Sequence, residues 1–214
     1  MLVAAAVCPP TPLIVPALRD LRSACHTAVD ALHEARPDVL IVVGGAETPG
    51  TYGGESAGTL RPWGLDVTAG HGEPVLPLSL TIGRWLLGDR APNGLRSVAF
   101  DAPSGECLAM GAELGEAGER VALLVMADGS ACLSPGAPGR YDESAKPYNT
   151  MIANAIADAD PAVLAALDPA EADTLWVNGR AALQVLAGAA GPKSGRLLME
   201  AAPYGVGYFA GLWA

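Results

Sequence analysis

Residues 38–45 read DVLIVVGG, and this stretch decides the fold. Five β-branched or aliphatic residues run from Val39 to Val43 without a polar break and end on two glycines. A strand that is apolar on both faces is buried on both faces, which is the habit of a parallel sheet covered by helices. Upstream, residues 2–8 (LVAAAVC) form a second short apolar run, halted by Pro9 and Pro10. Between the two, Leu18, Leu21, Cys25, Val29 and Leu32 recur at three- and four-residue steps, so residues 16–36 read as an amphipathic helix. Pro16 suits its first turn and Pro37 stops it. Strand, helix and strand within 45 residues make a right-handed βαβ unit.

The pattern continues. Residues 97–101 and 121–127 predict further strands, and 196–202 with 206–213 predict a hairpin around Pro203-Tyr204-Gly205. Residues 63–68 predict a short strand. Helices are expected at 78–88, at 104–118 with glycine interruptions, at 142–158 and at 171–188, the last introduced by Asp168-Pro169. Residues 46–62, rich in Gly, Thr, Ser and Pro, read as a long loop. The expectation is one domain spanning residues 1–214: a three-layer α/β/α sandwich with a mostly parallel central sheet and an antiparallel edge.

Composition narrows the function. The formal net charge is -10, with no basic run, which argues against nucleic-acid binding. No segment holds 18 unbroken apolar residues, so no membrane span is expected. Cys8, Cys25, Cys107 and Cys132 show no CxxC spacing and read as buried thiols, with a reducing cytoplasmic setting as the expectation. There is no dinucleotide fingerprint after Gly44-Gly45, no phosphate-binding GxxxxGK[ST] and no GxSxG elbow around Ser130. His26 and His33 fall within one helix, and His71 lies in the turn GHGEP.

Ligands of open α/β sheets bind beyond the carboxyl ends of the strands. That rule selects the turns after residues 8, 43 and 127. The candidate ligand-binding residues are therefore Pro10, Thr11, Gly44, Gly45, Asp128, Gly129 and Ser130, with Glu200 approaching from the last hairpin. The main pocket is expected among them, with the glycines allowing close backbone approach.

Several segments in order carry a resemblance: VCPPTPLIVPAL (7–18), DVLIVVGGAETPGTY (38–52), LPLSLTIGRWLL (76–87), DGSACLSPGAPGRYDESAKPYN (128–149) and APYGVGYFAGLW (202–213). Together they resemble the small actinobacterial branch of the LigB-like superfamily of class III extradiol ring-cleavage dioxygenases, to which Memo proteins are distantly related. The resemblance implies the α/β/α fold. In active relatives it implies ferrous iron held by two histidines and a glutamate, a further acid–base histidine, and opening of a catechol ring by oxygen. Here Pro10 stands at the first histidine position, residues 46–62 contain no histidine, and Asp128-Gly129-Ser130 replaces the catalytic one. Glu200 alone matches, by position. The expectation is a protein without bound iron that binds a small molecule or a protein in the old cleft. An enzyme of altered chemistry and a partner subunit of a larger enzyme remain the alternatives, and a homo-oligomer is compatible with each.

Overall fold

The computed structural model describes residues 1–214. Its strands are β1 (Leu2–Cys8), β2 (Val39–Ala46), β3 (Gly50–Gly53), β4 (Gly58–Thr59), β5 (Thr68–Ala69), β6 (Gly94–Ala99), β7 (Val121–Met126), β8 (Gly195–Ala201) and β9 (Tyr208–Trp213). Its helices are α1 (Arg19–Glu34), α2 (Leu78–Leu86), α3 (Ser104–Gly115), α4 (Ala145–Asp158), α5 (Pro161–Ala165), α6 (Pro169–Thr174) and α7 (Arg180–Ala189).

Seven strands form one sheet in the order β3-β6-β2-β7-β1-β9-β8, and β4 pairs with β5 apart from it. The central pairs β6–β2, β2–β7 and β7–β1 are parallel. The expected antiparallel edge is β9–β8, and β3 adds a second antiparallel strand at the opposite margin. The fold is thus the expected α/β sandwich, parallel at its centre.

The apolar alternation along β7 explains the layers. Val121, Leu123, Val125 and Ala127 face one core, packed by α3, α4 and α7, while Ala122, Leu124 and Met126 face the other, packed by α1 and α2. A strand with both faces covered must be apolar at every position, as 39–43 and 121–127 are. Each fully buried Leu, Ile or Val contributes about 1.5–3 kcal/mol relative to an exposed one. No helix is long and apolar enough to cross a membrane. All four cysteines are buried and free.

Four expectations need correction. The helical period over 171–188 is not one helix. Asp168 caps α6 by accepting from Ala170 and Glu171, and the chain then breaks at Leu175–Gly179, with Trp176 at φ 52°, before α7 begins. The glycines of α3 do not interrupt it. A Cβ on Gly111 would strike the backbone of α7, so this glycine sets how closely the two helices approach. Residues 63–68 hold the end of a 3-10 turn (Arg61–Trp63) and the start of β5 rather than one strand. The 46–62 loop contains β3, because Arg96 and Ser97 on β6 anchor it through Thr51 Oγ1 and the Thr48 carbonyl.

Candidate functional site at the carboxyl edge of the sheet

β1 and β2 both pair with β7, so the turns after Cys8, Ala46 and Met126 lie at one edge of the sheet. The expected turn after Val43 is corrected: Gly44 and Gly45 belong to β2 and pair with Ser97 and Val98 on β6, so they are strand residues and not part of a turn. What fills that edge is chain, and each expected residue has a definite place.

Ser130 is fully buried. Its hydroxyl donates to the Leu175 carbonyl (2.7 Å) and accepts from Cys132 N–H (3.0 Å), so both of its roles are structural. The space beyond Gly45 is taken by Phe100 and the Asn178 carbonyl, that beyond Gly44 by Ser79, and that beyond Gly129 by Asn149 and Phe209. These glycines admit protein, not an open cavity. The larger concavities lie elsewhere: about 610 Å³ between α4 and α5, about 580 Å³ between the start of α1 and the end of β8, about 390 Å³ beside β3, about 360 Å³ at the start of α3 and about 350 Å³ at the start of α7. The main pocket expected among the three turns is not one of these, because the break at Leu175–Gly179 packs down on the strand ends.

Glu200 is exposed and accepts from Asn149 Nδ2 (3.1 Å), whose Oδ1 accepts in turn from Ser130 N–H (3.3 Å). Glu200 and the Gly129-Ser130 turn are therefore linked through Asn149, a buried residue on α4 that sequence reading misses. On the other face, Thr11 caps the Pro12–Ile14 turn and takes the Tyr208 hydroxyl at 3.4 Å. Pro10, partly exposed, only directs the chain out of β1 into that turn.

Asp128 differs from all of these. It is partly exposed, yet its Oδ1 is sealed from solvent and has no hydrogen-bond partner. Burial pushes its carboxyl up to about 7, against the opposing pull of its own backbone N–H and that of Gly179. A Cβ on Gly179 would collide with the Asp128 backbone, so only glycine lets the start of α7 come this close. The Tyr208 hydroxyl is pushed up by burial. The Thr11 hydrogen bond opposes that, and the Asp128 charge adds to it. Beside it, Tyr204 is exposed and held at φ 60°, an uncommon conformation for an aromatic residue. Tyr208 thus bonds Thr11 and lies within electrostatic reach of Asp128 and Tyr204, which makes a loose polar corner at the carboxyl edge with Asp128 pushed up to about 7.

No three His, Cys, Asp or Glu side chains converge closely enough to hold a metal ion. His71 pairs with Glu55 (3.0 Å) at an exposed site, and His26 and His33 belong to α1. The two-histidine, one-carboxylate iron set implied by the resemblance does not fit the residues present, and no chemistry is derived through it.

No family model and no curated protein sequence matches the chain. Among solved structures it is similar to the uncharacterized protein JW3007 from Escherichia coli K12, with a TM-score of 0.61 at 12% identity, over 99% of this chain and 100% of that one. At that identity the likeness shows the α/β fold alone.

Proposed function

We propose that this chain is an extradiol dioxygenase-like protein that binds a small hydroxylated molecule at the Asp128 corner without ring-opening chemistry. The observation that supports it is the Asp128 carboxylate. A charged carboxylate with one oxygen sealed and unpartnered costs stability at neutral pH, and such a cost is characteristic of a group kept for binding or catalysis. With Oδ1 sealed, a ligand hydroxyl has to displace the chain that covers it in order to supply the missing partner, with the Tyr208 and Thr11 hydroxyls nearby. Membership of the LigB-like superfamily is part of the proposal and rests on the ordered sequence segments quoted above.

A second reading has one observation in its favour. A carboxyl group titrating at about 7 is matched to general acid–base work at neutral pH, which supports an enzyme of altered chemistry at the same corner.

Catechol is the probe, supplied with ferrous iron in air. The proposal expects saturable binding that weakens on Asp128→Asn, with no ring-opened product. Ring opening would overturn the non-catalytic reading. Absence of binding, or binding indifferent to Asp128→Asn, would overturn the site.

A further inference from the structure

The cavity of about 350 Å³ at the start of α7 is lined by Phe100, Asp101, Ala172, Asp173, Asn178 and Arg180, among others. Arg180 is the unusual member. It is 2% exposed, and no carboxylate lies within ion-pair distance of it. A guanidinium carries five N–H donors. Nη1 serves the Ala102 carbonyl (2.6 Å) and Gln184 Oε1 (3.0 Å), and Nη2 serves the Phe100 carbonyl (2.6 Å). That leaves Nε–H and one Nη2–H without a protein acceptor. Nε is not among the sealed, unpartnered atoms of the fold, in contrast to Arg84 Nε. Neutral carbonyls hold this cation in place, and none supplies a counter-charge.

The surroundings restrict what could. Asp101 and Asp173 are exposed on the cavity wall and would repel a simple anion. Phe100, Ala172 and Val177 add apolar lining to the same cavity. The N-terminus of α7, a ten-residue helix, adds a favourable field for negative charge at the Arg180 end.

We infer that this cavity is a binding site for a small zwitterion of the α-amino acid class with an aliphatic side chain. Its carboxylate takes the two free N–H donors of Arg180, its ammonium lies near Asp101 and Asp173, and its side chain packs on Phe100, Ala172 and Val177. Asp128 does not line this cavity, and the inference does not depend on the function proposed for the Asp128 corner.

The test uses the whole chain and L-leucine, with leucinamide (no carboxylate) and N-acetyl-leucine (no ammonium) as controls, read by calorimetric titration. Leucine should bind saturably, and each control about tenfold or more weaker, the loss expected for one charge-assisted contact. Arg180→Lys should abolish binding. Should that variant not fold, the double variant Asp101→Asn, Asp173→Asn, altered only at exposed positions, decides: N-acetyl-leucine should gain on leucine. Failure of leucine to bind, equal binding of all three compounds, or an order of affinities unchanged in the double variant would overturn the inference and leave Arg180 as a strut holding the 100–102 turn.

Discussion

The two ends of the parallel sheet each carry an aspartate at a strand terminus, and they are used in opposite ways. At the amino end, Asp38 just before β2 accepts from Glu119 N–H with one oxygen (3.1 Å) and from Arg120 N–H with the other (2.9 Å). The Met1 ammonium closes the same corner by donating to the Gly118 carbonyl (2.7 Å). Both Asp38 oxygens are occupied in holding β2 and β7 in register. At the carboxyl end, Asp128 just after β7 has an oxygen that is sealed and idle. An aspartate with its oxygens occupied is a fastener, and one with an idle oxygen in a costly setting is available to something else. This contrast separates structure from function here more sharply than residue type does.

Ser130 tests whether the carboxyl end as a whole is functional. Its hydroxyl is occupied, so Ser130→Ala should behave as a structural lesion, leaving the buried Leu175 carbonyl and Cys132 N–H unmet. A loss of about 2–3 kcal/mol in urea unfolding is expected. A negligible loss would mean the break at Leu175–Gly179 is not fastened as described.

Asp128→Asn should have the opposite sign. Between its ordinary value of 3.8 and about 7, the folded chain holds a proton that the unfolded chain has lost, so stability falls as pH rises through that window. Removing the charge should stabilise the protein by about 1–3 kcal/mol at pH 8, after allowing for the side chain's partial exposure, and should do little near pH 4. Asp38→Ala, at the other end, should cost about 1 kcal/mol, as for an exposed capping aspartate. If Asp128→Asn destabilised at pH 8 as Asp38→Ala does, the two aspartates would be alike and the comparison would fail.

The smallest effect expected is at His33 on α1. Burial lowers its pKa, Arg90 lowers it further, and Asp30 partly opposes. A histidine with a lowered folded value contributes stability above its unfolded value of 6.5 and loses it as pH falls. His33→Gln should flatten the acid side of the stability profile below about pH 6.5, measured by thermal unfolding, without moving the Asp128 window.

The core of this fold is legible in the sequence because burial on two faces forces an unbroken apolar run, as at 39–43 and 121–127. The convergence of the turns follows from topology, and it placed Asp128 among the candidates beside Ser130. What separates those two residues was not legible. Ser130 is occupied by the carbonyl of Leu175, 45 residues away, and no local pattern encodes that pairing. The break before α7 was hidden for a related reason. Apolar spacing continues through Leu175 and Val177 because both are buried, although the backbone there is not helical. Arg180 drew no attention in the sequence, because nothing local marks an arginine in an apolar-spaced stretch as buried. Asn149 and Tyr208 were missed because nothing local marks a helix asparagine or a strand tyrosine as the neighbour of a distant turn.

The most direct measurement of the central claim is the titration of the Asp128 carboxyl carbon by NMR, assigned by its disappearance in Asp128→Asn. The account predicts a midpoint at about 7 in the free protein. A midpoint close to the ordinary 3.8 would show a solvated carboxylate with its oxygens satisfied, and the Asp128 corner would then be no more a site than Asp38 is.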